Sequence, residues 1–181
     1  MPAFDLDSFR ANFKAGAKSY LFYVKPVFPL TIGANTEQAT YLVNTSSLPA
    51  GTIEEQETAW QGYTYKVAGK STFATWTVQY KVDALADIRR WFVGWQTLIH
   101  DPTTNIYSAP ADYMVDQQVE LLGNEGESIT KYKLIGAWPS EIGEITLDYT
   151  ATDLAIFDVT YTYQYHVVDG VSYGKPIAFA G

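Results

Sequence analysis

From Phe73 to Lys81 apolar and polar positions alternate, with Trp76, Val78 and Tyr80 on one side, the two-residue period of a half-buried strand. The period then changes. Leu85, Ile88, Phe92, Trp95 and Ile99 are spaced three, four, three and four apart, which puts them on one face of a helix over residues 83–99. Asp83 stands at the expected N-cap, and Asp87 adds negative charge near the positive end of the helix dipole. His100 suits the far end and Pro102 stops the run. A strand feeding a bulky aromatic helix predicts a helix laid over one face of a sheet.

The rest of the chain reads mainly as strands. A short helix over 5–15, with Leu6, Phe9 and Phe13 on one side and Gly16 as its stop, precedes a strand over Tyr20 to Val24. Residues 32–43 give no clear period, and 46–51 form a loop by their Ser, Pro and Gly content. Thr52 to Ala59 and Tyr63 to Ala68 predict a hairpin around Trp60, Gln61 and Gly62, with a second turn at Ala68 to Ser71. Beyond the helix, 103–113 is polar and irregular, and strands are predicted over 114–122, 129–135 and 144–149. Gly123 to Gly126 marks a turn, and Trp138, Pro139 and Ser140 a break. Phe157 to Val167 carries the clearest alternation, with Phe157, Val159, Tyr161, Tyr163 and Tyr165 on one face. Asp158, Thr160, Thr162, Gln164 and His166 occupy the other. Roughly eight strands joined by short turns predict a mainly β fold with one main α-helix, an antiparallel sandwich or barrel with a flanking helix.

Composition narrows the function. The chain has 181 residues, the length of one domain, expected over 1–181 with an extension at 168–181. Its formal charge is −8 and no segment concentrates Lys or Arg, against tight binding to nucleic acid. With no cysteine, disulfide frameworks, thiol catalysis and cysteine-based zinc sites are excluded. The acidic, amphipathic start lacks a signal-peptide core and no apolar run approaches ~20 residues, so the expectation is a soluble chain made in the cytoplasm.

Little chemistry is available. His100 and His166 are the only histidines and fall in different elements, so they predict neither a catalytic pair nor a metal site. Gly69-Lys70-Ser71 imitates the end of a phosphate-binding loop, but Thr64 stands where its first glycine belongs and a strand follows instead of a helix. The carboxylates of Glu54, Glu55 and Glu57, of Glu125 and Glu127, and of Glu141 and Glu144 read as solvated surface rather than a glycosidase pair. Trp76, Trp91 and Trp95 fall at core positions. Trp60, at a polar hairpin tip, is the exception, and an exposed loop tryptophan marks a contact with a partner.

Taken in order, SLPAG, an acidic hairpin, KVAGKSTFATWTVQY, a helix ending RRWFVGWQTL, KLIGAWPSEIGEITLDY and IFDVTYTYQY closely resemble the major tail tube proteins of contractile-tailed bacteriophages. The resemblance spans roughly Ser47 to His166. It implies a non-enzymatic subunit without cofactors that forms hexameric rings, stacked into a hollow tube inside a contractile sheath. A β-barrel continuous around the ring lines a lumen through which the genome passes without specific binding. Sheath, baseplate initiator and terminator proteins are the implied partners, and the virion tail the location. The hairpin at Thr52 to Ala68 then reaches a neighbouring subunit or ring, making Trp60, Gln61, Gly62 and Tyr63 contact candidates, with Thr160, Thr162 and Gln164 on a face turned to a subunit or the lumen. An acidic lining suits a DNA conduit, so Glu54, Glu55, Glu57, Asp148 and Asp158 are lumen candidates. Segments 25–44 and 168–181 depart from the family pattern. The alternatives are the inner tube of a tailocin or secretion-type injection particle, a baseplate tube initiator and, from a different class, a carbohydrate-binding β-sandwich.

Overall fold

In a computed structural model, residues 6–13 and 16–171 are described. The elements in chain order are α1 (Leu6–Phe13), β1 (Phe22–Lys25), a 3-10 turn (Leu30–Ile32), α2 (Thr36–Tyr41), β2 (Val43–Ser46), β3 (Gly51–Trp60), β4 (Tyr63–Phe73), β5 (Trp76–Lys81) and α3 (Asp87–Ile99). Then follow β6 (His100–Asp101), β7 (Ile106–Tyr107), α4 (Pro110–Tyr113), β8 (Val115–Leu122), β9 (Ser128–Ile142), β10 (Ile156–Thr162) and β11 (Tyr165–Val168). The fold is mainly β with a flanking helix, as the patterning predicts.

All strand pairs are antiparallel. The architecture turns on β9, which belongs to two sheets. Its first part lies between β8 and β11, and its second part, from Trp138 to Ile142, pairs with β10. The order β1-β8-β9-β10-β5-β2 therefore bends at β9, and its two halves close over one core. The bend occurs at Gly136, whose φ of +61° is open to glycine at little cost. A hydrogen bond from Gly136 N–H to Asp116 Oδ1 at 3.0 Å holds it.

Helix α3 covers the β5–β10 half. Ile88, Phe92 and Trp95 are fully buried, and Phe92 meets Tyr80, Phe157 and Tyr161 at ring-centroid distances of 5.0, 6.1 and 6.2 Å. The buried tryptophans spend their N–H groups on carbonyls, Trp95 on Tyr113 at 2.9 Å and Trp76 on Ser47 at 2.7 Å. Tyr80 and Tyr161 share a hydroxyl hydrogen bond of 3.1 Å, and burial pushes both phenols up. These contacts join the predicted strand–helix unit to the closing strand.

Several expectations are corrected. The helix begins at Asp87 rather than at residue 83, with Ala86 at its N-cap in the left-handed region at φ +54°. Asp83 still serves it from a distance, since its Oδ1 accepts the Ile88 N–H at 3.1 Å. Leu85 precedes the helix and is 70% exposed, so it leaves the apolar stripe. Ala68 to Ser71 is no turn but lies within β4, where a register shift between Ile53 and Glu55 absorbs the extra length. Trp138, Pro139 and Ser140 do not break the chain. They continue β9, because the proline lies where the strand has no second ladder to donate to. Residues 144–149 form no strand and belong to a long loop. Among the described residues there are eleven strands rather than about eight, the additions including β2, whose last residue, Ser46, falls in the predicted loop.

Phe157 to Val167 is two strands. The ladder with β9 keeps its register from Thr162↔Trp138 to Tyr165↔Ile135, but the faces exchange at Tyr163 and Gln164. Phe157, Val159, Tyr161 and Tyr163 are buried, whereas Tyr165 is 48% exposed and His166 turns inward instead. The α1 helix lies within the predicted 5–15 and leaves Leu6, Phe9 and Phe13 exposed. The expected helix ends at 5 and 14–15, and the tail beyond 171, lie outside the described residues.

Candidate assembly interface

The hairpin of β3 and β4 pairs with no other strand among the described residues. Its strands have 10 and 11 residues, and nearly every one is exposed. A two-stranded ribbon alone in water is marginal. Its two-residue tip, Gln61-Gly62, has φ of +47° and +84°, the backbone of a turn matched to strand twist. Glycine at 62 meets that demand without strain.

The ribbon has two unlike faces. Register pairs Trp60 with Tyr63, Thr58 with Tyr65 and Gln56 with Val67, giving an uncharged, aromatic face. Trp60, Tyr63 and Tyr65 are 68%, 78% and 67% exposed. On the other face Lys66 Nζ lies 3.0 Å from Glu55 and 2.8 Å from Glu57, and these two carboxylates hold the lysine above its ordinary value. Water satisfies the second face. Nothing in the described chain covers the first.

At the root, Phe73 lies 6.1 Å from the Tyr163 ring and 5.1 Å from His166. The Tyr163 hydroxyl and His166 Nδ1 are buried without hydrogen-bond partners, and burial lowers the histidine.

The outer face of the β5–β10 half is a polar ladder. Gln79 Nε2 donates to Asp158 Oδ1 at 3.0 Å, Asn44 Nδ2 donates to Gln79 Oε1 at 2.6 Å, and the Thr77 and Thr160 hydroxyls lie 3.4 Å apart. Ser140 Oγ donates to the Thr160 carbonyl at 3.0 Å. This half also ends in two open edges. β2 pairs with β5 alone, and β9 from Trp138 to Ile142 pairs with β10 alone among the described strands.

The sequence-derived candidates therefore fall in four places. Trp60, Gln61, Gly62 and Tyr63 gather at the hairpin tip, and Glu54, Glu55 and Glu57 follow the same ribbon, Glu54 at its bulge. Thr160 and Thr162 sit on the polar ladder with Asp158, and exposed Gln164 sits at the face exchange. Asp148 occupies the loop, where its own Thr150 donors hold its carboxyl below the usual range. Asp148 and Asp158 border one surface depression, which Glu144 and Asp153 share. Residue-type patterning did not single out Tyr65, Gln79 or the two open edges. The alternation of Gln56, Thr58 and Trp60 was a signal for the first, whereas an edge exists only once pairing is known.

A family model described as phage tail tube protein matches residues 10–169. The tail tube protein gp19 of Enterobacteria phage T4 is 29% identical over 142 residues, covering 77% of this chain and 87% of that one. Among solved structures, a chain of the anti-feeding prophage baseplate superposes with a TM-score of 0.65 at 18% identity, covering 87% of this chain and 97% of its own. A chain of the sheath-tube complex of an extracellular contractile injection system gives 0.57 at 15% identity, covering 93% and 100%. At such identities these two speak for the fold. No helix among the described residues is long and apolar enough to cross a membrane.

Proposed function

Because the chain belongs to the phage tail tube protein family, we propose that it is the repeating unit of a hexameric ring, and that such rings stack into the inner tube of a contractile tail. It is a structural subunit of the virion tail tube and not an enzyme. The uncovered hairpin carries the reading. A ten-residue ribbon that exposes Trp60, Tyr63 and Tyr65 to water is a poor end state for a monomer and a good one for a subunit.

Ring closure follows from the two open edges. β2 and β9 run in opposite senses, because each step across β2, β5, β10 and β9 is antiparallel. Rotation about a ring axis keeps strand sense, so β2 of one copy meets Trp138 to Ile142 of the next as an antiparallel pair. A head-to-tail interface of this kind closes into a ring and removes both edges. The four strands then contribute one segment of a continuous barrel, with α3 outside and the polar ladder inside.

In that arrangement Asp158, Thr160 and Thr162 face the lumen. Hydroxyls, amides and a carboxylate dominate this face, with Lys81 at the end of β5 the one cation among its four strands, so DNA meets little positive charge, which suits passage of a genome. Glu54, Glu55, Glu57, Gln61, Gly62 and Tyr63 travel with the hairpin to the neighbouring copy, and Gln164 and Asp148 lie at the margins of the barrel wall. A surrounding sheath and proteins that start and end the tube are the remaining partners. Negative-stain electron microscopy of the purified chain over a range of concentrations tests the reading: six-fold rings or hollow tubes support it. Monomers at every concentration, even with baseplates added as seeds, refute it.

A further inference from the structure

The β3–β4 ribbon meets the rest of the subunit through one aromatic seat. Its strands pack chiefly on each other, and among the described residues no other element makes an extended contact with them. At the root Gly51 pairs with Phe73, and both rest on one side chain of β11, His166. The Phe73 ring lies 5.1 Å from the imidazole at an interplanar angle of 76°, and a side chain at position 51 would place its Cβ 3.7 Å from His166 Cε1. Tyr132 at 5.7 Å and Tyr163 at 6.1 Å close the other sides. Behind this seat the chain is tied by two hydrogen bonds, from Ala74 N–H to the Ala50 carbonyl at 3.1 Å and from Trp76 Nε1–H to the Ser47 carbonyl at 2.7 Å. Two polar atoms are buried within the seat without a partner, His166 Nδ1 and the Tyr163 hydroxyl. We propose that His166 is a proton-operated joint: neutral, it seats Phe73 and fixes the angle of the ribbon, and protonated, it releases the root and lets the ribbon swing.

The surroundings suit the neutral ring and not the charged one. In a neutral imidazole Nδ1 can stand as a bare acceptor, whereas in the imidazolium both nitrogens are donors and Nδ1–H finds no acceptor. The ring faces Tyr132 and Leu134 from β9, Phe73 from β4, Gly51 from β3, and Tyr163 beyond the end of β10. The titratable groups among these are the two phenols. The nearest cation along β9, Lys133, lies on the opposite face, paired with Asp116 at 2.9 Å. No carboxylate offsets a charge on His166, and burial alone lowers its hold on a proton. Opening the joint returns the imidazole to water, where it takes a proton at its ordinary 6.5. The open population therefore rises by up to about tenfold for each pH unit below 6.5, until the closed joint is protonated too. The ribbon magnifies the motion. Ten residues of strand span about 33 Å, so a rotation of about 10° at the root carries the tip about 6 Å. A tip displaced that far meets a neighbouring subunit out of register, and acid then disfavours assembly. Only this last consequence rests on the ring reading above, because the motion belongs to a single chain.

Because the chain has no cysteine, two spin labels can be placed at will. The full chain carrying Thr58→Cys on the ribbon and Thr97→Cys on α3, both exposed positions, is labelled and kept dilute enough to stay unassembled. Pulsed electron resonance then reads the distance between the labels in steps from neutral pH to well below 6.5. The expected result is a shift of several ångströms, or a marked broadening, that grows as pH falls below that value. The same labelled chain with His166→Phe or His166→Gln should show no pH-dependent shift. Phenylalanine keeps a ring for Phe73 to rest on and glutamine keeps a polar side chain, so a folding failure in one leaves the other as the control. A constant distance in the parent overturns the proposal and means that the surrounding rings accept the imidazolium with the joint closed. A shift that persists in either variant also overturns it and assigns the motion to the Glu55, Glu57 and Lys66 cluster on the ribbon. Both results leave the tube reading standing. A chain that forms no rings or tubes at neutral pH removes the consequence for assembly, and the joint is still decided by the distances.

Discussion

Replacing Trp60 with alanine separates folding from assembly. In the isolated subunit this side chain is 68% exposed and supports only the hairpin tip. Aromatic side chains bury ~150–250 Å² each, so about 140 Å² remains for a partner, worth about 3 kcal/mol at ~25 cal/mol per Å². The alanine methyl retains a little of this, leaving a loss of about 2–3 kcal/mol per contact, or a rise in critical concentration of roughly 30- to 150-fold. Surface substitutions that touch no packed feature move stability by only ~0.5 kcal/mol, so the urea midpoint of the monomer should hardly change. The assay is sedimentation of tubes over a concentration series, with urea unfolding of the unassembled protein beside it. A critical concentration within threefold of the parent would refute the reasoning. An unfolding midpoint that falls together with assembly would refute it differently, by showing that Trp60 stabilises the monomer.

Phe92→Ala opens the centre of the aromatic core and should cost ~3–5 kcal/mol in urea unfolding, with tubes lost because the subunit unfolds. For Asp83, burial raises the carboxyl, but backbone donors led by Ile88 outweigh it and hold the group below its ordinary 3.8. Its contribution is therefore fully present above that value and lost as pH falls below it, and Asp83→Ala should destabilise the monomer by ~1 kcal/mol at neutral pH, with the gap closing in acid. For His166, burial lowers the folded value below 6.5, so the unfolded chain takes up the proton first and stability declines as pH falls below 6.5. His166→Phe should flatten that decline in pH-dependent thermal melts, and an unchanged slope would assign it to another group. Thr160→Lys and Thr162→Lys together should make assembled tubes retain labelled DNA at low salt and release it at high salt. Tubes that hold no DNA would remove these threonines from the lumen.

The long-period signals were legible in the chain itself. Phe92 and Trp95 had to be core because a stripe at helical spacing offers them no other face, and Trp76, Val78 and Tyr80 followed from strict alternation. The exposed tip at Trp60 was legible too, since Gln61-Gly62 can only be a turn between two runs that alternate. What tertiary structure decided is where the chain bends. Gly136 allows β9 to change faces, and its partner strand must exchange faces at Tyr163 and Gln164 to keep the same ladder. Local alternation extended through that point assigned Tyr165 to the core and His166 to solvent, the reverse of what the bent sheet requires. Pro139 looked like a break, because only the pairing reveals that β9 has one open side there. Open edges and the ribbon with no strand beside it are properties of pairs of segments far apart in sequence. Side-chain period is a local property fixed by backbone geometry, whereas an unpaired edge is defined by the absence of a neighbour, which only the folded chain supplies.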